Sequence, residues 1–276
     1  MSSEPVFSHE AMNTTFTLRI SGESEKQAAG VARECFEHLD YLEDKLSRYR
    51  EGSDVWQINH LAAGESLFLS EPCYDCLRLA MEATSATGGL FDVTLGRSIE
   101  YAKGAGEGPA PELHGSLMLD PEKPCVHCMA EGREIDLGGI GKGFALDQMK
   151  GLLLDWGIES ALLAAGASTQ LAMGPRAWQV SLTGDRGSLS FPLKNAALSA
   201  SGLGIQGSHI LAPDGSAPEY AFKRVWVSLA SAALADAWST AAMLMNPPTL
   251  MELLPPDALY MFENEKGHGG NFPASS

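Results

Sequence analysis

Four glycines between an extended stretch and a helix constrain this chain more than any other feature. In Ile135-Asp-Leu-Gly-Gly-Ile-Gly-Lys-Gly-Phe-Ala-Leu-Asp147, Gly138, Gly139, Gly141 and Gly143 follow a short strand expected over Arg133 to Leu137. They precede a helix expected from about Phe144 to Trp156, with Gly157 as its stop. Glycine lets the backbone come close to a bulky anion, and free N–H groups at a helix start can hold phosphate oxygens. Lys142 adds a positive charge in the same place. The spacing is neither that of the P-loop nor that of the dinucleotide fingerprint: no Ser or Thr follows Lys142, and the glycines do not fit G-x-G-x-x-G. On spacing alone, an anion cradle and a plain tight turn both stay open.

The patterns on either side set the fold class. Thr15 to Ile20 alternates at the period of a half-buried strand. Ser24 followed by Gln27 is a capping box, and Ala28, Val31, Ala32, Cys35, Leu39, Leu42 and Leu46 follow at helical spacing. Ser70-Glu-Pro72 opens a second helix with Cys73, Leu77, Ala80 and Ala83 on one face, and Thr87-Gly88-Gly89 ends it. The stretch from Ala102 to His114 reads as a loop. Ala161 to Ala165, Trp178 to Leu182, Val225 to Ser228 and Leu259 to Phe262 read as strands, and Leu234 to Met245 as a buried helix. A disordered tail is expected over 265–276. Strands and helices mix without a clean βαβ alternation. The expected class is therefore α+β, with mixed or antiparallel sheets packed with helices, in one domain over 1–264 built from two closely associated halves.

Lys and Arg number 19 against 35 Asp and Glu, a net charge of −16. Such a surface repels nucleic acid and anionic membranes, so neither is expected as the main partner. No apolar stretch reaches the roughly 18 residues that a transmembrane segment needs. The start, Met1-Ser-Ser-Glu-Pro-Val-Phe7, has neither the basic nor the apolar region of a signal peptide. The sequence as it stands is expected in the cytoplasm, or in the periplasm where a leader has been removed. Five cysteines fit a reducing compartment better than a disulfide framework. Cys73-x-x-Cys76 and Cys125-x-x-Cys128, with His127, outline a split zinc site. The first pair falls on a helix, however, and the second in an extended run where the thiols face opposite ways, which favours apolar packing.

Four further segments carry candidate chemistry. Asp236 and Thr240 share a helix face, where a carboxylate and a hydroxyl can hold a hard cation such as Mg²⁺; alternatively Asp236 is a helix-start charge and Thr240 bonds its own backbone. His209, in Gly207-Ser-His-Ile-Leu-Ala-Pro213, is either a positioned acid or base or a structural side chain. Asp92, in Gly88-Gly-Leu-Phe-Asp-Val-Thr94, either caps backbone N–H groups or faces a ligand. Tyr49 either stacks on a planar ring or fills the edge of the core.

In order along the chain, these segments resemble the motifs of the FAD:protein FMN transferase family, often called ApbE. The family's Met-Gly-Thr stands here as Met12-Asn13-Thr14, its Leu-Ser-x-Tyr as Leu46 to Tyr49, and its Gly-x-Phe-Asp-x-Thr as Gly89 to Thr94. Asp-Leu-Gly-Gly-x-x-Lys-Gly is intact at Asp136 to Gly143, Ser-His-Ile-x-x-Pro at Ser208 to Pro213, and Ala-Asp-x-x-x-Thr at Ala235 to Thr240. Two places depart from the pattern. Ala164-Ala-Gly-Ala-Ser168 replaces a Gly-Gly-Asp or Gly-Gly-Asn, and the segment from Ser201-Gly202 to Ser208-His209 is short.

The resemblance implies an ApbE-like (T-fold-like) fold and an Mg²⁺-dependent enzyme. That enzyme transfers FMN from FAD, through a phosphoester, to a Thr or Ser hydroxyl of a target flavoprotein and releases AMP. It implies Asp236, Thr240 and the backbone carbonyl of Gly139 as metal ligands, and Lys142 near the pyrophosphate. Met12, Tyr49, Leu90, Phe91, Asp92 and Asp136 would line the FAD site, with His209 beside the reacting phosphate. His209, Lys142 and Asp236 are the expected catalytic residues. A pyrophosphatase that converts FAD to FMN and AMP, and a non-catalytic FAD-binding relative, are the competing functions.

Overall fold

The computed structural model describes residues 4–105, 110–203, 210–214 and 218–272. The first hairpin follows directly from local geometry. Strands β1 (Val6–Ala11) and β2 (Thr14–Ser21) pair in a register that ends at Ala11 opposite Thr14, which leaves Met12 and Asn13 to make the turn. Both have positive φ, +49° and +58°, as a two-residue turn needs if it is to match the twist of its strands. Helix α1 (Glu25–Leu46) starts where the capping pattern placed it, with the Ser24 hydroxyl accepting the Gln27 N–H at 3.3 Å. The seven apolar positions named from its period are all buried.

The short α2 (Asp54–Ile58) and β3 (Ser66–Phe68) lead to α3 (Glu71–Ala86), which buries Cys73, Cys76, Leu77, Ala80 and Ala83. Next come α4 (Gly96–Glu100), β4 (Ser116–Leu119) and β5 (Cys125–Ala130), with β5 between β3 and β4 in a three-stranded sheet. Helix α5 (Gly141–Asp155) is followed by β6 (Ser160–Ala165), β7 (Thr169–Met173), β8 (Trp178–Gly184), β9 (Gly187–Leu193), β10 (Ala196–Gly202) and β11 (Arg224–Leu229). Helices α6 (Ala232–Ala242) and α7 (Pro247–Leu253) precede the last hairpin, β12 (Leu259–Asn264) and β13 (Gly267–Gly270).

The large sheet runs β1-β2-β6-β7-β10-β11-β12-β13, with every neighbour antiparallel. One of its faces carries the main core. Phe16, Leu18, Leu163, Leu171, Ala197, Val225 and Val227 pack there with the buried sides of α1, α3, α5 and α6. Alternate residues of the same strands point the other way. Ala172, Leu198, Trp226 and Met261 are covered by Trp178, Val180, Leu182, Phe191 and Leu193 of the β8–β9 hairpin. The α+β class stands.

Three expectations change. Residues 133–137 form no strand: a single bridge, Glu134 with Leu95, is all their strand pairing, because the segment beside them turns into α4 directly after Leu95. Helix α5 starts at Gly141, so Gly143 lies inside it. The tail is not free over 265–272. β13 pairs with β12, the Asn271 carboxamide accepts the Tyr260 N–H at 2.7 Å, and Phe272 stacks on Phe191 at 4.5 Å. All five cysteines are buried and unpaired.

Candidate active site

The glycine turn is built from its own backbone. The Asp136 N–H donates to the Val93 carbonyl at 2.8 Å, and Asp136 Oδ1 accepts the Gly138 N–H at 2.8 Å. The Ile140 and Gly141 N–H groups both reach the Leu137 carbonyl, at 3.0 and 2.7 Å. The Gly143 N–H is taken by a side chain, Asp236 Oδ2, at 3.2 Å. These five N–H groups are therefore spent on the protein's own oxygens and are not the free donors that an anion cradle would use. The positive group that it presents is Lys142, whose Nζ donates to the Gly138 carbonyl at 3.0 Å and lies 3.7 Å from Asp236 Oδ2.

Gly143 is where α5 meets α6. A Cβ there would collide with the Ala232 carbonyl, so only glycine lets the two backbones touch. One turn further along α5, the Asp147 carboxylate accepts the Ala232 and Ala233 N–H groups at 2.9 Å each and the Ser231 hydroxyl at 2.7 Å. A side chain of one helix thus caps the start of the other and fixes where Asp236 stands.

Asp236 is only 3% exposed. A buried carboxylate has to be matched by donors or positive charge. Here Oδ1 accepts Ser199 Oγ at 3.1 Å and Thr169 Oγ1 at 3.3 Å, while Oδ2 faces the Gly143 N–H and the Lys142 ammonium. Thr240 donates its own proton to the Asp236 carbonyl at 3.1 Å, which leaves the oxygen's lone pairs for other partners. Gly139 comes close to that hydroxyl. A Cβ on Gly139 would lie 3.2 Å from Thr240 Oγ1 and 3.1 Å from the Phe91 ring.

The structure therefore gathers Gly139, Lys142, Asp236, Thr240 and Phe91 at one spot. Among the described residues, no group of three His, Cys, Asp or Glu is placed to hold a metal. A cation here would draw on a carboxylate, a hydroxyl and a carbonyl. All three are hard oxygen donors of the kind that suits Mg²⁺, and the carboxylate already faces one positive charge. The donor set fits the ion. The Cys76 thiol is pushed up by burial, and by the negative charge of Asp236 and Asp75.

Asp136 links this spot to an ionic cluster. Its Oδ2 lies 3.2 Å from Arg48 and 4.0 Å from Lys103, and Arg48 also reaches Glu134 at 2.7 Å. Tyr49, 67% exposed, donates its hydroxyl to Glu100 at 2.6 Å and receives the Lys103 ammonium at 3.2 Å. Burial, then the Glu100 hydrogen bond, raises the Tyr49 phenol. Burial alone would lower Lys103, but the bond to Tyr49 and the charge of Asp136 outweigh it and raise the ammonium. With its ring exposed and its hydroxyl tied down, Tyr49 offers a planar face rather than filling the core edge.

Asp92 takes the capping role. Its Oδ1 accepts the Thr94 N–H at 2.8 Å and the Thr94 hydroxyl at 2.7 Å, and Oδ2 faces Arg133 at 3.5 Å. Leu90 packs partly buried against the core. The Met12 N–H donates to Glu43 Oε1 at 2.9 Å, and the turn abuts Gly166, where a Cβ would lie 2.5 Å from Thr14 Oγ1. Among the described residues, no hydrogen bond joins Met12 or Asp92 to the Asp236 network. His209 lies outside the described residues; just after it, the Ile210 carbonyl accepts the Tyr220 hydroxyl at 2.7 Å. The motif reading missed Thr169, Ser199, Arg48, Lys103 and Asp147. The one local signal is a hydroxyl standing among small apolar residues, as Ser199 does.

The ApbE family model matches residues 12–261. Among curated relatives, an FAD:protein FMN transferase of Klebsiella pneumoniae (strain 342) is 26% identical over 182 residues, spanning 61% of this chain and 56% of that protein, little more than half its length. Another from the same strain is 21% identical over 299 residues, with 96% of this chain and 85% of the relative covered. Among solved structures, the flavin transferase ApbE from Vibrio cholerae superposes with a TM-score of 0.82 at 20% identity, covering 99% of this chain and 98% of that one. The apo form of Pseudomonas stutzeri flavinyl transferase ApbE gives 0.80 at 22% identity, covering 98% and 94%.

Proposed function

The chain belongs to the ApbE family, and from that membership we propose that it is an FAD:protein FMN transferase, attaching FMN through a phosphoester to a Thr or Ser hydroxyl of an acceptor flavoprotein and releasing AMP. The observation that carries the reading is the meeting of Lys142, Asp236, Thr240 and Gly139 where α5 and α6 touch. Both curated relatives described above carry the name FAD:protein FMN transferase.

The chemistry asks for charge control. The acceptor oxygen forms a bond to the FMN phosphorus, the bond to the bridging oxygen breaks, and AMP leaves with the electron pair of that bond. The negative charge of the diphosphate has to be offset throughout. Lys142 has three N–H donors, of which Gly138 takes one, so two remain for phosphate oxygens. Asp236 Oδ2, Thr240 Oγ1 and the Gly139 carbonyl would hold Mg²⁺. When bound, the ion supplies Lewis-acid stabilisation of the phosphoryl oxygens. His209 takes the acceptor's proton, a role assigned from its motif alone. The exposed Tyr49 ring, backed by Arg48 at 5.7 Å, stacks on a planar part of FAD.

The test is incubation with FAD and Mg²⁺, with and without a Thr-containing acceptor peptide, reading AMP and peptide mass. FMN bound to the peptide, with AMP release that depends on it, is the expected result. Free FMN and AMP without peptide labelling would make the protein a pyrophosphatase, and no AMP would make it a non-catalytic relative.

A further inference from the structure

We propose that Ser199 and Thr169 are positioning residues that aim the Asp236 carboxylate at the cation site. The inference rests on the transferase reading and concerns how its metal ligand is held. The torsion that turns a carboxylate about its last bond is broad and nearly two-fold, so the helix backbone alone does not decide where Oδ2 points. Two neighbouring strands decide it. Ser199 on β10 and Thr169 on β7 are direct cross-strand partners, both fully buried, and both hydroxyls converge on Oδ1, at 3.1 and 3.3 Å. With Oδ1 held, Oδ2 turns toward Gly143 and Lys142.

Proton bookkeeping supports the direction of these bonds. A carboxylate only accepts, so each hydroxyl donates its single proton to it. Ser239 has one proton, and the Asp236 backbone carbonyl at 2.9 Å is a closer acceptor for it than Ser199 Oγ at 3.3 Å. The Ser199 and Thr169 oxygens also lie 3.1 Å apart, and of the acceptors within reach of their protons the Asp236 carboxylate is the charged one. Ser199, Thr169 and Ser239 carry hydroxyls in the apolar interior, and the two strand hydroxyls have no other acceptor of comparable charge within reach.

The test uses the full chain and Mn²⁺ as the probe, with ion affinity measured by calorimetry and by the electron spin signal of free Mn²⁺. Ser199→Ala and Thr169→Val each remove one hydroxyl, the second with almost no change of shape. Thr169→Ser keeps the hydroxyl and loses a methyl. Each hydroxyl removed is expected to weaken Mn²⁺ binding roughly tenfold, the worth of one hydrogen bond to a charged group, while Thr169→Ser stays within about twofold of the parent. Thermal unfolding and FAD binding without metal check that the variants are folded.

Folded Ser199→Ala and Thr169→Val variants that bind Mn²⁺ as the parent does would overturn the inference. So would a Thr169→Ser variant that loses as much as Thr169→Val, because the methyl would then matter rather than the hydroxyl. Neither result touches the transferase reading, which stands or falls with AMP release by the parent. A parent protein that takes up no Mn²⁺ would overturn both this inference and the metal assignment. Should Thr169→Val not fold, Ser199→Ala decides alone.

Discussion

Lys142 shows what a single residue can carry. Its ammonium is anchored at the Gly138 carbonyl and leans toward Asp236, so the positive charge stays put before any ligand arrives. Lys142→Met should weaken FAD binding by about ten- to a hundredfold, the range for losing a charge-assisted hydrogen bond to an anion, measured by quenching of flavin fluorescence. Unchanged affinity would remove Lys142 from the site. That Lys142, Asp236 and Thr240 are candidates was legible in the sequence, because a lysine in a glycine turn and two oxygens four residues apart on a helix are local patterns, although only the family resemblance gave them roles. Ser199 and Thr169 were not. Their importance comes from a strand pairing 30 residues apart in sequence, and nothing near either one announces a carboxylate.

The elements divide along the same line. Helices α1 and α3 were readable because a 3.6-residue apolar period and a cap are written into one continuous segment. Strand β10, Ala-Ala-Leu-Ser-Ala-Ser-Gly, has no β-branched residue, and it sits between two neighbours with both faces covered, so alternation is weak. Strand β13, Gly-His-Gly-Gly, exists only through its pairing with β12. The joint between α5 and α6 is likewise tertiary. Asp147→Ala leaves the Ala232 and Ala233 N–H groups without their acceptor and should cost about 1–2 kcal/mol in urea unfolding, the usual value of a lost helix cap. Since α6 carries both Asp236 and Thr240, the same variant should bind Mn²⁺ more weakly. Unchanged stability would mean that the contact does not hold the helix start.

At the scale of the whole molecule, the buried thiols predict how stability varies with pH. Burial, with the charge of Glu34 behind it, pushes Cys35 from an ordinary value of 9.0 up to about 12, and Cys73, Cys76 and Cys128 are raised as well. A raised acid keeps its proton in the folded state and loses it first in the unfolded chain. The stability it contributes is complete below the unfolded value and is lost as pH rises from about 9 toward the folded value. Urea unfolding should therefore show stability falling above about pH 9, with each thiol adding up to about 1.4 kcal/mol per pH unit. Cys35→Ala should flatten that limb. A limb of equal slope in the variant would contradict the assignment.

The fold, the joint of α5 and α6 and the aimed carboxylate all serve one claim, that Asp236 anchors the charge which lets the FAD diphosphate be split. The most direct measurement is AMP release from FAD and Mg²⁺ by the parent protein and by Asp236→Ala, side by side, with thermal unfolding to show that both are folded. Release by the parent and none by the variant is the predicted result; release by the variant at the parent's rate would contradict it.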